Sequence, residues 1–200
     1  MFKLILVRHG ETDWNKIRRI QGGGSNTVLN ERGREQVAWL AERLCRENLL
    51  AVYSSPLDRA LVTAQAIAAR HGLGVQVTES LKEIAAGELE GRTLSEVGKH
   101  LSHILLDNSK GGELPRIPGG ESLEEAQRRG WSFVQGIVNG HPEGTAAIVT
   151  HYFIILAVIL AALELPLSQM TRFRLSTGSL SVLDFDEGVV SLSVFNESPG

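Results

Sequence analysis

The sequence has a single cysteine and almost no net charge. Cys45 is the one cysteine among 200 residues, which excludes an internal disulfide framework and a cysteine-rich zinc site. It falls on a predicted amphipathic helix, where we expect a small buried apolar residue. With 20 Lys and Arg against 23 Asp and Glu, the formal net charge is -3, so the chain has no general attraction for nucleic acid or an anionic membrane. Any anion that it binds must be held by a local cluster of basic residues.

The sequence also lacks targeting and membrane signals. The short apolar run at the N-terminus is ended by Arg8 and His9, with no small-residue cleavage site after it, so we expect no signal peptide. The segment 146–163 is about the minimum length of a membrane span, but it contains Thr150 and His151, and a histidine near its middle is costly in lipid. We interpret it as a buried strand followed by a buried helix, and we expect a cytoplasmic protein.

Short apolar runs and amphipathic segments alternate along the chain, which predicts a three-layer α/β/α sandwich with a mainly parallel sheet and an antiparallel edge. We expect a single domain over residues 1–200, with a lid or insertion region around 84–122, where the periodicity weakens. The predicted strands are 2–7, 50–53, 75–78, 145–149, 179–185 and 189–195, and the predicted helices are 31–47, 56–70, 94–106, 123–138 and one that starts near His151.

Basic and acidic side chains follow the predicted strands, at the sheet edge where ligands of such folds bind. Arg8 and His9 follow the first strand, Arg59 lies shortly after the second, Glu83 follows the third and His151 the fourth. Arginines are suited to hold a phosphate dianion. His9 could attack phosphorus, His151 could donate to a phosphoryl oxygen, and Glu83 could protonate the leaving oxygen. Each of these residues, taken alone, is more often a structural or surface residue than a catalytic one. Only their occurrence together at successive strand ends favours a site for a phosphate ester.

The sequence does not match two other kinds of ligand-binding motif. The glycines at 22–24 are not followed by Lys-Ser/Thr, so they do not form a nucleotide P-loop. His100 and His103 have helical spacing but no carboxylate or cysteine nearby, which is typical of a solvated helix face rather than a metal site. We therefore expect metal-free chemistry with no cofactor.

The segment Leu6–Asn15, LVRHGETDWN, closely resembles the signature of the histidine phosphatase superfamily, the phosphoglycerate mutase-like proteins. Further blocks resemble the family in family order and extend the match over nearly the whole chain, namely 21–22, 29–36, 54–60, 63–64, 81–83, 87–91, 118–122 and 149–151.

The resemblance implies a phosphoglycerate mutase-like fold and a phosphohistidine mechanism. His9 would attack the phosphoryl group while Glu83 protonates the leaving alcohol and then activates water. Nearby arginines would keep the pKa of His9 low, so that the imidazole is neutral. The residues that would hold the phosphoryl oxygens are Arg8, Arg59, His151 and Asn15, and those near the rest of the substrate are Gln21 and Gly22.

The sequence departs from the family after the second histidine. Tyr152 and Phe153 stand where a Gly-Gly pair is common, and Leu156 replaces an arginine. Bulky rings at the pocket wall should narrow it and remove positive charge, which disfavours a sugar bisphosphate, although simple packing of a buried helix start explains the rings equally well.

The leading hypothesis is a metal-independent phosphomonoester phosphatase that acts on a small metabolite of the phosphoserine, sugar phosphate or phosphoglycerate type. A cofactor-dependent phosphoglycerate mutase is the first alternative, and a non-catalytic, phospholigand-binding regulatory protein is the second. We expect no nucleic-acid or membrane partner. The apolar C-terminal hairpin permits a homodimer through its edge.

Overall fold

The protein is built around one mixed sheet of six strands. A computed structural model describes residues 1–97 and 114–199. The strands are β1 (Phe2–Arg8), β2 (Leu49–Ser54), β3 (Val75–Val77), β4 (Gly144–Thr150), β5 (Leu180–Asp186) and β6 (Val189–Glu197). Their order in the sheet is β3-β2-β4-β1-β5-β6. The first four in this order are parallel, whereas β5 is antiparallel to β1 and β6 to β5. The predicted α/β fold is confirmed.

Helices precede or follow most strands. The α-helices of the described residues are α1 (Asp13–Lys16), α2 (Glu31–Leu44), α3 (Asp58–Ala69), α4 (Leu94–Val97), α5 (Leu123–Gly140) and α6 (Tyr152–Ala162). Short 3-10 helices occupy Glu79–Leu81, Gly87–Leu89 and Leu167–Arg172.

Local sequence fixes where the long helices begin. The Asn30 side chain accepts a hydrogen bond from the Gly33 amide at the start of α2. Ser122 and Glu125 form a reciprocal capping box at the start of α5. His151 is the N-cap residue of α6 and divides the apolar segment 146–163 into β4 and α6, as the sequence predicted. No helix of the described residues is both long and apolar enough to cross a membrane.

Alternate residues of the central strands face two apolar cores, one on each side of the sheet. Leu4 and Leu6 of β1 belong to the core that contains α5 and α6. Ile5 and Val7 belong to the core that contains α2 and α3. Because side chains of a strand alternate between faces, this division produces the predicted three layers.

Several boundaries differ from the expectations. The first long helix ends at Leu44, so Cys45 is its C-cap residue and is half-buried, not the buried helical residue that we expected. Of the helix predicted over 94–106, the part up to Val97 is helical, and the remainder lies outside the described residues. His100 and His103 also lie outside the described residues, as does the middle of the predicted lid region 84–122.

Candidate active site

The carboxyl ends of neighbouring parallel strands bring the predicted site residues together. Arg8 at the end of β1 is in register with Thr150 at the end of β4. The next residues along each strand are therefore neighbours, and the rings of His9 and His151 lie 5.1 Å apart between centroids, tilted by 58°. This juxtaposition follows directly from the parallel register of the two central strands.

His9 is buried, and one of its ring nitrogens is paired with the backbone. Its side chain is 3% exposed, and Nδ1 lies 2.7 Å from the Gly10 carbonyl oxygen. Because a carbonyl can only accept, Nδ1 carries the proton, which leaves the lone pair on Nε2. Burial, followed by the charges of Arg59 and Arg8, holds the pKa of His9 well below its usual range. The imidazole is therefore unprotonated and able to attack at neutral pH.

His151 is oriented by a serine that the sequence did not single out for this role. The ring is fully buried, and its Nε2 lies 2.8 Å from Ser55 Oγ. Ser55 Oγ accepts from the Leu57 amide at 3.3 Å, so its own proton is free to be donated to Nε2. In that tautomer Nδ1 carries the hydrogen. Burial, Arg59 and His9 hold the pKa of His151 well below its usual range.

Arg59 is the largest fully buried side chain and anchors a glycine-rich loop. Its Nη1 donates to the Ser25 carbonyl at 2.7 Å and its Nη2 to the Gly22 carbonyl at 3.2 Å. Burial lowers the pKa of Arg59 to about 10, against the attraction of Glu83 and Glu90, so it stays charged at neutral pH. The loop and the cation fix one another's positions.

Arg8 is held from two sides. Its Nη1 donates to the Leu175 carbonyl at 2.6 Å, and its guanidinium lies 5.1 Å from the ring centroid of Tyr152. Burial lowers the pKa of Arg8 from its ordinary value, although the charge of Glu83 opposes that change. Both contacts orient the guanidinium at the end of β1.

Four buried donors of the predicted site residues have no hydrogen-bond partner within the described part of the chain. Buried donors are normally paired, so these nitrogens are available to the oxygens of an anion. The atoms are Arg8 Nε, Arg59 Nε, His151 Nδ1 and Gln21 Nε2. Unpaired buried atoms also occur on His71 and Asp184, which the sequence did not assign to a site.

Glu83 combines burial with two backbone contacts. It is 5% exposed, and its carboxylate oxygens accept from the Ile84 amide at 2.9 Å and the Phe153 amide at 3.2 Å. Burial raises the pKa of Glu83 above its ordinary value, although the two amides and the nearby arginines act in the opposite direction. A carboxyl group with a raised pKa that lines the same cavity as His9 is suited to acid–base chemistry.

The predicted substrate-binding residues line one cavity of about 740 Å³, which also includes Arg8, His9 and Glu83. Asn15 closes a capping box with Thr12 at 3.1 and 3.3 Å. Gln21 Oε1 accepts from the hydroxyls of Thr12 at 2.8 Å and Thr27 at 2.5 Å. A side chain at Gly22 would meet the Ile84 carbonyl at 2.7 Å, so only glycine fits there.

Tyr152 and Phe153 form the first turn of α6 and line the same cavity. The Tyr152 hydroxyl donates to the Phe173 carbonyl at 3.2 Å, and the two rings meet edge to face at 5.3 Å between centroids. The lining also includes Arg18, Arg19 and Arg174, so the cavity is richer in positive charge than the loss of an arginine at 156 led us to expect.

An ion pair that no sequence pattern indicated holds the loop carrying Glu83. Arg129 donates to the carbonyls of Ser80 at 2.8 Å, Lys82 at 2.7 Å and Glu83 at 3.2 Å. It also forms a bidentate pair with Glu121 at 2.9 and 3.0 Å. No local pattern marks Arg129, because its carbonyl partners lie 46 to 49 residues away along the chain.

No group of three or more histidine, cysteine, aspartate or glutamate side chains in the described ranges 1–97 and 114–199 is arranged to hold a metal ion. The cations at this site are arginines, which supply positive charge without a bound ion.

A family model, related sequences and solved structures are all similar to this chain. A family model described as the histidine phosphatase superfamily (branch 1) matches residues 4–198. Phosphoserine phosphatase 1 of Hydrogenobacter thermophilus is 35% identical over 187 residues, which cover 94% of this chain and 88% of that protein. "Probable phosphoglycerate mutase GpmB" of Cronobacter sakazakii is 33% identical over 190 residues, covering 94% and 86%. A crystal structure of an Entamoeba histolytica phosphoserine phosphatase mutant in complex with phosphoserine has a TM-score of 0.86 and 30% identity, covering 98% of this chain and 97% of that one.

Proposed function

This chain belongs to the histidine phosphatase superfamily (branch 1), and from that membership we propose that it hydrolyses phosphomonoesters through a phosphohistidine on His9, without a metal ion. The observation that carries the proposal is the state of His9. The Nδ1–H group donates a hydrogen bond to the Gly10 carbonyl, so Nε2 keeps a lone pair. Burial and the charges of two arginines lower the pKa of His9 and keep the ring neutral.

The first half-reaction transfers the phosphoryl group to the protein. The Nε2 lone pair of His9 forms the P–N bond while the bond from phosphorus to the ester oxygen breaks. Glu83 gives its proton to the leaving oxygen, so that an alcohol departs and a carboxylate remains. The unpaired donors on Arg8, Arg59 and His151 stabilise the charge that spreads over the phosphoryl oxygens.

The second half-reaction regenerates the enzyme. The Glu83 carboxylate takes a proton from water as the water oxygen attacks phosphorus. The P–N bond breaks, inorganic phosphate leaves, and His9 recovers its neutral form with the proton still on Nδ1. Glu83 ends protonated, as it began, so the cycle closes without a cofactor.

The substrate in this proposal is a small phosphorylated metabolite of the phosphoserine, sugar phosphate or phosphoglycerate type. The similarity to phosphoserine phosphatases of two organisms supports this class. The cavity supports it as well, since Asn15, Gln21 and Gly22 line it together with Arg8 and His9.

The test is phosphate release from 4-nitrophenyl phosphate in the presence of EDTA. We expect undiminished turnover with the chelator and loss of turnover in His9→Ala. His141→Ala is the matched control, because His141 is exposed and lies outside the cavity. Full activity of His9→Ala, or loss of activity with EDTA that added metal restores, would contradict the proposal.

A phosphoglycerate mutase is the second candidate, favoured by the relative of that name. In a mutase the phosphohistidine is retained and transferred to a second hydroxyl, not to water. Isomerisation of 3-phosphoglycerate that is faster than its dephosphorylation, with a bisphosphate primer present, would favour this candidate over hydrolysis.

We also propose that the protein works in the cytoplasm, which its single cysteine is consistent with.

We further propose a homodimer that forms through β6. β6 is an edge strand, and its Val189 and Phe195 are 68% and 37% exposed. Light scattering on the purified protein tests the dimer.

A further inference from the structure

Resting on the proposed function, we propose that the preferred substrate is a phosphomonoester whose alcohol carries a carboxylate, and that Arg174 and Arg18 bind this carboxylate. Phosphoserine and phosphoglycerate have such a group, whereas a sugar monophosphate does not.

The active-site cavity holds more positive charge than one phosphoryl group uses. Among the described residues that line it, the arginines are Arg8, Arg18, Arg19 and Arg174, and the acidic residues are Glu11 and Glu83. Arg8 has its unpaired Nε for the phosphoryl oxygens, and Glu83 carries a proton when the substrate binds in the proposed mechanism. Arg18, Arg19 and Arg174 therefore remain for the rest of the substrate, with Glu11 as the opposing charge. This balance favours an alcohol with a negative charge of its own.

Arg174 is oriented by the backbone beside it. Its Nη1 donates to the carbonyls of Thr171 at 2.6 Å and Phe173 at 2.8 Å. A guanidinium has five N–H groups, and those on Nε and Nη2 of Arg174 form no hydrogen bond with the described part of the chain. The side chain is exposed, so a ligand has access to it. Nε and Nη2 together form the planar fork that matches the two oxygens of a carboxylate.

The Phe173 carbonyl links Arg174 to the reaction centre. It also accepts from the Tyr152 hydroxyl at 3.2 Å, and the Tyr152 ring centroid lies 5.1 Å from the Arg8 guanidinium. Arg8 in turn donates to the carbonyl of Leu175, the residue that follows Arg174, at 2.6 Å. The same short segment therefore holds the arginine for the phosphoryl group and presents Arg174 to the same cavity, as the recognition of one small substrate by both arginines requires.

Arg18 has a backbone conformation that residues other than glycine rarely adopt. Its φ is 54°, in the left-handed region. The conformation is fixed from both sides, because the Arg18 amide donates to the Asn15 carbonyl at 3.0 Å and the Arg18 carbonyl accepts from the Leu94 amide at 2.9 Å. The exposed guanidinium has no hydrogen bond or ion pair with any other residue of the ranges 1–97 and 114–199. Backbone strain of this kind concentrates at ligand sites, which supports Arg18 as the second arginine for the carboxylate.

The exposure of these arginines favours a carboxylate over a second phosphate group. The unpaired donors on Arg8 and Arg59 are buried, whereas Arg18 and Arg174 are exposed. Water weakens the attraction between exposed charges. The outer part of the cavity is therefore better suited to a group with one charge and two coplanar oxygens than to a second dianion.

The experiment compares kcat/KM of the full chain within two pairs of substrates, with phosphate release as the readout. Phosphoserine differs from phosphoethanolamine by a carboxylate, and 3-phosphoglycerate has a carboxylate where glycerol 3-phosphate has a hydroxymethyl group. We expect the carboxylated member of each pair to be preferred by about tenfold or more, as for hydrogen bonds between charged groups.

A matched pair of variants locates the effect. Arg172 is exposed like Arg174 and also donates from its Nη1 to a neighbour in sequence, Gln169 at 2.9 Å, but it does not line the cavity. We expect Arg174→Gln to lower the ratio of phosphoserine to phosphoethanolamine activity about fivefold or more, and Arg172→Gln to leave that ratio unchanged. Arg18→Gln should lower the ratio as well. Because each ratio is taken within one protein, a general loss of active enzyme does not alter it.

The outcomes separate the two proposals. Equal kcat/KM within both pairs, or a ratio that neither Arg174→Gln nor Arg18→Gln lowers, overturns the inference and leaves the phosphatase intact. Hydrolysis of 4-nitrophenyl phosphate without hydrolysis of either carboxylated ester has the same meaning. Failure to hydrolyse any of the esters, 4-nitrophenyl phosphate included, overturns the proposed function itself and the inference with it.

Discussion

Two residues of the site have pKa values moved in opposite directions by their surroundings. Burial and two arginines lower the pKa of His9, whereas burial raises that of Glu83. In the proposed mechanism His9 is thus unprotonated below the usual pH range of histidine, and Glu83 keeps its proton above the usual range of a carboxyl group. A pair of groups shifted in this way is suited to nucleophile and general acid.

We expect Glu83 to set the alkaline limb of the pH profile. As pH rises through the raised pKa of Glu83, the proton for the leaving oxygen is lost and kcat/KM falls. In Glu83→Gln this limb should disappear, and activity should drop by about 100-fold or more. Alkyl phosphates should suffer more than 4-nitrophenyl phosphate, because a poor leaving group depends more on the acid.

The measurement is kcat/KM against pH for both proteins on both substrates. An unchanged alkaline limb in Glu83→Gln, or equal losses on the two substrates, would show that another group is the acid. Glu11 also lines the cavity and would be the next carboxylate to replace.

At the residue scale, the strand ends and the family signature together predicted that Arg8, His9 and His151 lie close to one another. The roles of Ser55 and Arg129 could not be predicted in this way, because both act on partners that are distant in the sequence. Ser55 meets His151 across 96 positions, and no local pattern encodes such a contact.

At the scale of elements, helix α5 contributes to the site through one ion pair. Arg129 and Glu121, each 22% exposed, hold the loop from Ser80 to Ala85, since Glu121 also accepts from the Ala85 amide at 2.8 Å. Three carbonyls of the loop accept from the same guanidinium, which fixes the direction in which the Glu83 side chain leaves the backbone.

We expect Arg129→Lys to lower kcat about tenfold or more while KM changes little, because an ammonium cannot replace the planar fork that reaches three carbonyls and a carboxylate. The loss should be larger on alkyl phosphates than on 4-nitrophenyl phosphate, as for a change in the acid itself. Arg128→Lys, an exposed neighbour on the same helix, is the control. Steady-state kinetics with both substrates make the test, and an equal effect of the two variants would refute the positioning role.

Hydrophobic pattern predicted the existence and order of the strands and long helices, but not every boundary. Helix α6 shows the reason. Eight of its eleven residues are buried, and they lie all around the helix, so no polar face reveals the helical periodicity. The 3-10 helices are one or two turns long and have no periodic signal. The described part of the predicted lid begins with one of them, Gly87–Leu89, followed by α4.

At the scale of the whole molecule, a cluster of basic groups is buried in a chain of net charge -3. Folding must keep His9 and His151 neutral, because both lie beside buried arginines. The unfolded chain has no such constraint and binds protons near the ordinary histidine pKa of 6.5. Stability is therefore linked to pH.

For the two histidines the sign of this linkage is definite. Below pH of about 6.5 each histidine binds more protons in the unfolded than in the folded state, so its contribution to the free energy of unfolding falls as pH falls, by up to about 1.4 kcal/mol per pH unit. The raised pKa of Glu83 contributes a slope of the opposite sign. Urea unfolding at several pH values between 5 and 7 measures the slope. We expect His151→Asn to make it shallower and His141→Asn, at an exposed position, to leave it unchanged. An equal slope in His151→Asn and in the unaltered protein would contradict the neutral burial of His151.

In the proposed mechanism a phosphoryl group passes through His9, and trapping the phosphohistidine tests this step most directly. The protein is mixed with a rapidly hydrolysed phosphomonoester, quenched in alkali, digested and examined by mass spectrometry, with His9→Ala treated in parallel. We expect one acid-labile phosphoryl group on the peptide that contains His9 and none on that peptide in His9→Ala. Steady turnover with the phosphoryl group on another residue would contradict this mechanism. Turnover by His9→Ala at the rate of the unaltered protein would contradict it as well.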